Sequence, residues 1–336
     1  MFVVESYAVA VVLCVVTMLC WGSWANTQKL AGARWRFELF YWDYVLGMLL
    51  MALVFAFTLG SMGSGGRTFL ADLRQADPAN VGSAFLGGMV FNAANILLVA
   101  AIAVAGMSVA FPVGIGLALV LGVLVNYWSE PKGEPIELFI GVGFIALAII
   151  LDAVAYRRIP GQGKGGGLVG LILAVLCGLL MGFFYRFVAA AMPEPRPENL
   201  LHMPPGKLSP YTAMVLFSLG VVASQVLFNL ANIVRWATTS PPPKPDYFKG
   251  GAGDHFWGIV GGMIWAVGMT LSIMAFGVAG PAISYGLGQG ATLVAACWGV
   301  FVWREFRDAP QSTRRLIALM FACYVVGLAL VILAGR

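Results

Sequence analysis

Two carboxylates stand within or beside apolar stretches of this sequence, where an ionisable side chain is costly and therefore informative. Asp43 lies among Tyr41, Trp42 and Tyr44 about two turns into one apolar segment, and Glu5 stands at the outer edge of the first. A carboxylate that is partly removed from water can take up and release a proton near neutral pH. We therefore predict Asp43, with Glu5 as a second candidate, as proton-coupling groups.

A purely structural role remains the alternative for each of these acids. Asp43 can pair with Arg34 or Arg36, and Glu5 can be an interfacial residue. A third acid, Asp152, lies close enough to the basic pair at 157–158 to form an ion pair at the membrane surface.

A second group of side chains combines amides with aromatic rings inside apolar segments. Asn92 and Asn95 are three residues apart and share one face of a helix. Amides donate and accept hydrogen bonds, which suits the edge of a neutral urea-like ring, and tryptophan offers a face for stacking. The alternative is helix–helix hydrogen bonding or an aromatic belt. The predicted substrate-binding residues are Trp21, Trp24, Asn26, Asn92, Asn95, Trp265, Tyr285 and Gln289.

The composition identifies the environment that must position these residues. Of 336 residues, 60% are hydrophobic and 10% charged, and the mean hydropathy is +0.88. Soluble proteins carry roughly 25% charged residues, so a water-soluble enzyme is excluded and the lipid bilayer is a predicted partner. Ten apolar segments are each near the length needed to cross a bilayer, and we call them spans 1 to 10. They cover about 6–28, 38–60, 80–105, 108–128, 136–156, 167–191, 210–234, 255–279, 282–303 and 314–334.

Few residues are available for metal or disulfide chemistry. The five cysteines lie in apolar runs without a CxxC spacing, and the two histidines, His202 and His255, lie in polar connections. These positions favour packing cysteines and exclude a His-rich metal centre. We therefore predict no metal site, no cofactor and no nucleic-acid partner.

The distribution of positive charge predicts an orientation. The connections after spans 1, 5, 7 and 9 carry thirteen Lys and Arg residues, whereas the opposite side carries six. The positive-inside rule then places both termini outside the cytoplasm of a multi-pass protein of the cell membrane.

An internal repeat is the most informative feature of the sequence. Residues 87–120 align without a gap onto 261–294, and Gly or Met coincides at six positions. The copies correspond to spans 3–4 and 8–9, so each half has five spans and the halves run oppositely through the membrane. We predict an all-α membrane protein of ten transmembrane helices arranged as two inverted five-helix repeats, 1–158 and 165–336. That architecture is typical of secondary transporters. The repeat also makes Phe91 equivalent to Trp265 and Phe111 equivalent to Tyr285.

Several stretches resemble the plant and bacterial ureide permeases. They are MFVVESYAVA at 1–10, CWGSWANTQKL at 20–30, YWDYVLGMLLMALVFAFTLG at 41–60 and GMSVAFPVGIGLALVLGVLVNYW at 106–128. The resemblance implies a ten-span carrier of the drug/metabolite transporter superfamily, related to glucose/ribose and rhamnose porters. It implies uptake, with protons, of allantoin or another ureide, or of a nucleobase such as uracil or xanthine. The central connection, RRIPGQGKGGG at 157–167, lacks the GxxxxGK[ST] spacing of a phosphate-binding loop, so it has no nucleotide role.

The sequence thus favours a carrier of a small neutral polar solute that works by alternating access and acts as a monomer or homodimer. A sugar carrier is the main alternative, since Asn, Gln and Trp bind sugars as well as ureides. An exporter of amphipathic compounds is disfavoured by the number of amides. A membrane-embedded enzyme would need a cluster of acids or histidines at one membrane face, and it leaves the repeat unexplained. A receptor or scaffold is a further alternative, which ligand binding without transmembrane flux would identify.

Overall fold

The computed structural model is an all-α bundle that fits a membrane-spanning protein. It describes residues 1–32, 35, 37–63, 65–158, 167–195, 199, 202–231, 247–307 and 309–336. These residues contain no β-strand, and ten of their helical segments are long and apolar enough to cross a membrane. The predicted fold class of ten transmembrane helices is confirmed.

The spans have bounds within a few residues of those predicted. Their helices are Tyr7–Ser23 and Ala25–Ala31 in span 1, Phe37–Phe57 in span 2, Pro78–Ala105 in span 3, Met107–Ala110, a π-helical Phe111–Ile115 and Gly116–Ser129 in span 4, Pro135–Tyr156 in span 5, Leu168–Ala191 in span 6, Pro210–Ala231 in span 7, Ala252–Ala279 in span 8, Pro281–Gly288, Ala291–Cys297 and a π-helical Trp298–Val302 in span 9, and Gln311–Leu333 in span 10. A helix at Phe69–Gln75 and a 3-10 turn at Tyr247–Lys249 lie in the connections.

Spans 3 and 8 end at glycines in the same unusual conformation. Gly106 has φ 78° and ψ 163°, and Gly280 has φ 81° and ψ 163°. Each donates its backbone N–H to the carbonyl four residues earlier, at 2.9 Å to Ile102 and 2.8 Å to Phe276. Positive φ is open to glycine at little cost, so a single residue turns span 3 into span 4 and span 8 into span 9.

The packing of the first five spans on the last five follows a regular pattern. Span 3 packs against spans 6 and 7, and span 8 packs against spans 1 and 2. Span 4 contacts span 6 as span 9 contacts span 1, and span 5 lies along span 10. In this last pair, a Cβ added to Gly141 would lie 2.7 Å from the carbonyl oxygen of Gly327, and the reverse distance is also 2.7 Å. If span 1 is exchanged with span 6, span 2 with span 7, and so on to spans 5 and 10, the same set of contacts results.

Spans 2 and 8 approach so closely that their backbones touch. A Cβ on Gly47 of span 2 would overlap the carbonyl oxygen of Ile259, and a Cβ on Gly262 of span 8 would overlap that of Tyr44. Small residues permit such contacts between helices in membranes. Both positions therefore exclude any side chain.

Spans 3 and 7 make the corresponding contact. A Cβ on Gly88 would overlap the carbonyl oxygen of Phe217, and a Cβ on Gly220 would overlap that of Phe85. Gly88 and Gly262 are one of the glycine pairs that the internal repeat aligns. The repeated sequence thus occupies matched packing positions in both halves.

We expect Gly262→Ala to destabilise the protein by about 1–3 kcal/mol, because the added methyl group has to push two backbones apart. The thermal unfolding midpoint of the purified protein measures this change. Gly143→Ala in span 5 is the matched control, since nothing lies within 4 Å of a Cβ at that position. An equal loss of stability in the two variants would contradict the close contact.

Candidate functional site

A cluster of aromatic rings joins spans 1, 3, 7 and 8. The Trp265 ring lies 5.6 Å from Trp21, 4.5 Å from Phe91 and 5.8 Å from Phe217 between centroids, and it is nearly parallel to Trp21 and Phe217. The Trp21 indole also donates to the Trp265 carbonyl at 3.3 Å. Two of the predicted binding residues, Trp21 and Trp265, therefore lie together. The repeat-related pair Phe91 and Trp265 is also in contact.

The two asparagines of span 3 are buried beside this cluster. The Asn92 amide donates to the carbonyl oxygen of Val221 at 3.3 Å and to Ser224 Oγ at 3.0 Å, both in span 7. The Asn95 amide donates to the Tyr41 hydroxyl of span 2 at 2.9 Å. Asn92 Oδ1 has no hydrogen-bond partner among the described residues. A buried acceptor without a partner is costly, and it can receive an N–H or O–H group from a solute.

Trp24 belongs to an aromatic group that continues from Asn95. Its ring lies 4.7 Å from that of Tyr44, which stacks on Tyr41 at 5.1 Å. The buried Tyr44 hydroxyl has no hydrogen-bond partner within the described part of the chain. Sequence reasoning named Tyr44 only as a neighbour of Asp43, since no spacing rule indicates which tyrosine lies unpaired.

Tyr285 and Gln289 of span 9 are placed differently. The buried Tyr285 hydroxyl donates to the carbonyl oxygens of Ala118 at 3.1 Å and Met181 at 3.2 Å, so it fastens span 9 to spans 4 and 6. Gln289 follows the helix Pro281–Gly288 and is half-buried. The side chain of Phe111, the repeat partner of Tyr285, lies outside the described residues.

Asn26 lines a separate cavity of about 260 Å³ between spans 1, 5, 9 and 10. Its Oδ1 atom accepts a hydrogen bond from the Trp303 indole at 2.7 Å. Asp152 lines the same cavity. The structure shows no ion pair between Asp152 and the basic residues at 157–158, so the expected surface pair is wrong. The carboxyl instead faces the space that Asn26 also reaches.

Glu305 closes one side of this cavity. Its carboxylate accepts hydrogen bonds from Lys29 Nζ at 3.2 Å and from the Tyr156 hydroxyl at 2.7 Å. The Lys29 ammonium also lies 4.5 Å from the centre of the Trp303 ring. These contacts tie the end of span 1 to span 5 and to the segment that follows span 9.

Asp43 is buried in a cluster of three polar side chains. His255 Nδ1 lies 2.9 and 3.1 Å from its two carboxylate oxygens, the Trp35 indole donates at 3.2 Å, and the Tyr247 hydroxyl donates to Oδ1. Burial, together with the hydrogen bond to Asp43, raises the pKa of Tyr247, which therefore remains a proton donor. The cluster connects span 2 to the start of span 8.

Glu5 lies far from this cluster. It is exposed in the amino-terminal segment, which pairs with the end of span 2, whereas Asp43 lies in the second turn of that helix. The two predicted proton-coupling residues are thus not brought together. Arg34 and Arg36, the partners considered for Asp43, lie outside the described residues.

Sequence reasoning missed His255, Tyr247 and Trp35 as partners of Asp43. The available signal was that His255 is one of only two histidines and stands at the start of an apolar segment. The predicted polar connection is wrong for this residue, since His255 lies in the first turn of the span 8 helix, and the sequence does not reveal that span 8 packs against span 2.

The model of one protein family, described as ureide permease, matches residues 40–162 and 157–334. The chain belongs to the ureide permease family. Ureide permeases 1 and 4 of Arabidopsis thaliana are 23% and 24% identical to it, and each alignment covers 98% of this chain and 97% or 98% of the relative. Probable ureide permease A3 of Vigna unguiculata is 22% identical over 92% of this chain and 99% of its own length.

The ureide permeases are a family of transporters. The chain is therefore a multi-pass membrane transporter and not an enzyme. A solved crystal structure with 17% sequence identity aligns with a TM-score of 0.63 and covers 98% of this chain and 100% of its own. This ureide permease family member thus shares its fold with that protein along almost the whole chain.

We expect His255→Leu to destabilise the protein by about 1–3 kcal/mol, because it leaves the buried Asp43 carboxylate with fewer partners. In the double variant Asp43→Asn/His255→Leu, most of this loss should disappear, which a double-mutant cycle of unfolding midpoints measures. His202→Leu removes the other, exposed histidine and should leave the midpoint unchanged. Additive effects of the Asp43 and His255 changes would contradict the pairing.

Proposed function

We propose that this transporter moves a small neutral polar solute by alternating access, and that the solute is a ureide such as allantoin or a nucleobase such as uracil or xanthine. The similarity to ureide permeases supports a ureide. The observation that carries the chemistry is the unpartnered acceptor of Asn92 beside the aromatic cluster. A planar ring with N–H groups suits this combination, since rings stack and an amide oxygen accepts.

The binding region that we propose comprises Trp21, Trp265, Asn92, Asn95 and Trp24. Asn26 belongs to the route by which solute arrives, because it lines the cavity of about 260 Å³ at one side of the bundle. Tyr285 contributes by holding span 9 in position, and Gln289 on the same span stays a candidate for contact with the solute. In this structure the rings of Trp21 and Trp265 stack on each other, so solute entry requires them to separate.

The movement we propose is the rocking of two inverted five-span halves, residues 1–158 and 165–336. The matched glycine contacts of spans 2 and 8 and of spans 3 and 7 support this arrangement. The contact between the repeat-related Phe91 and Trp265 supports an axis that passes near the aromatic cluster. The charge distribution supports both termini outside the cytoplasm of the cell membrane.

Protons supply the energy in this proposal, and Asp43 carries them. Protonation of a carboxylate that already touches His255 and Tyr247 changes the net charge of a buried cluster. Such a change shifts the balance between two packings of spans 2 and 8. Glu5, exposed at the other end of span 2, is the second candidate for proton coupling.

We expect labelled uracil or allantoin to enter proteoliposomes faster when an inward proton gradient is imposed, and excess glucose or ribose to leave uptake unchanged. Inhibition by the sugars would instead favour the sugar-carrier alternative. Absence of any uptake of either solute would contradict the proposed substrate class.

The same assay tests the binding region. Asn92→Ala should raise KM by roughly tenfold, because the solute loses its buried acceptor. Asn126→Ala is the matched control, since Asn126 is also buried and its Oδ1 also has no partner among the described residues. Equal KM values for the two variants would remove Asn92 from the binding region.

We expect Asp43→Asn to abolish uphill accumulation while the exchange of labelled for unlabelled solute persists, because the variant binds solute but cannot change charge. Asp72→Asn removes another buried carboxylate, which pairs with Arg67 at 3.0 Å and lies outside the Asp43 cluster. The Asp72→Asn variant should still accumulate solute. If Asp43→Asn concentrates solute against its gradient, Asp43 is not the coupling group.

A further inference from the structure

A basic groove lies on the surface where span 9 ends and span 10 begins. Its volume is about 390 Å³, and we call it the arginine groove. Three arginines, Arg304, Arg307 and Arg314, line one part of it. Phe301 and Phe321 line the other part. The groove thus combines concentrated positive charge with apolar surface at the end of two membrane spans.

The positive charge of the groove is not neutralised within the described part of the chain. None of the three arginines forms an ion pair with a described carboxylate. Glu305, next to Arg304 in the chain, is bound instead by Lys29 and Tyr156, and Asp308, next to Arg307, lies outside the described residues. Within the described residues, no carboxylate therefore competes with an external anion for these arginines.

The backbone holds two of these arginines in defined positions. Arg304 has φ 53° and is the one non-glycine residue with positive φ among those described. Such a conformation persists only where surrounding contacts impose it, and the next N–H, that of Glu305, donates to the Gly299 carbonyl at 2.9 Å. Across the groove, the Arg314 guanidinium donates to the Arg307 carbonyl at 3.1 Å. Local contacts thus hold the Arg304 backbone and the Arg314 guanidinium at the groove.

The apolar part of the groove faces outward. Phe301 is 65% exposed and stacks on Phe321 at 5.6 Å between ring centroids. Both residues lie within the apolar spans, one on span 9 and one on span 10. At the edge of a bilayer this surface meets acyl chains, while the arginines lie at the ends of the spans, where lipid phosphates are found.

We propose that the arginine groove binds one anionic phospholipid, with its phosphate against Arg304, Arg307 and Arg314 and an acyl chain along Phe301 and Phe321. Guanidinium groups bind phosphate through paired hydrogen bonds. Basic pockets between membrane helices bind acidic headgroups in the same way. The lipid would hold the end of span 9 to span 10, beside the turn whose Glu305 closes the cavity.

Titration of the delipidated protein in detergent with dioleoylphosphatidylglycerol tests this proposal, with the thermal unfolding midpoint as the signal. We expect a saturable rise in the midpoint for the natural protein. The triple variant R304Q/R307Q/R314Q should need on the order of a hundredfold more lipid, since each arginine near an anionic headgroup contributes about a factor of five. The single variant R307Q should need about fivefold more, which keeps the test valid if the triple variant folds poorly.

The control variant R157Q/R158Q/R315Q removes the same charge from the same side of the bundle, outside the groove. It should respond to the lipid as the natural protein does. An equal loss in the control would show a diffuse charge effect and overturn the proposal. An equal rise with dioleoylphosphatidylcholine, or the same rise with inorganic phosphate alone, would also overturn it, because the site would then select neither the charge nor the lipid.

Discussion

The direct contact between the backbones of spans 2 and 8 determines how the polar chemistry of this protein is arranged. Gly47 and Gly262 allow the two helices to touch, and a Cβ on Gly258 would overlap the Cβ of Asp43. Because Gly258 has no side chain, Asp43 is buried against span 8 rather than exposed to lipid. His255 lies one helical turn before Gly258 and therefore meets the carboxylate. The packing of small residues thus creates the charged cluster.

The same contacts arrange the aromatic side chains. We call the glycines that touch the backbone of a neighbouring span crossing glycines; they include Gly88 in span 3, Gly262 in span 8 and Gly220 in span 7. Phe91 lies three residues after the first, Trp265 three after the second, and Phe217 three before the third. A separation of three residues is nearly one helical turn, so each ring lies near the same side of its helix as its glycine. Phe91 and Phe217 meet beside the glycine contact of spans 3 and 7, and Trp265 of span 8 packs on both rings. A solute that separates these rings therefore acts directly on the two pairs of spans that we propose to move.

Much of the fold could be predicted from the sequence, because spans and internal repeats are properties of continuous segments. The ten spans, and the short turns that separate spans 3 and 4 and spans 8 and 9, are read from local patterns. The partners of Asp43 could not be predicted, because His255 is 212 residues away and its position depends on which helices pack together. Asp152 shows the same limit, since sequence proximity favoured a pair with the residues at 157–158, whereas the bundle turns it toward the cavity.

The two halves share their packing but not their charges, and this difference has a mechanical consequence. When the crossing glycines Gly47 and Gly220 are superimposed, Leu216 of span 7 takes the place of Asp43. By the repeat offset, Val81 of span 3 takes the place of His255. The protonation that we propose for Asp43 would therefore act on the contact of spans 2 and 8, whereas the matching positions of spans 3 and 7 are apolar. In the proposed carrier, a symmetric framework supplies two equivalent packings, and this single asymmetric cluster makes their balance depend on protons.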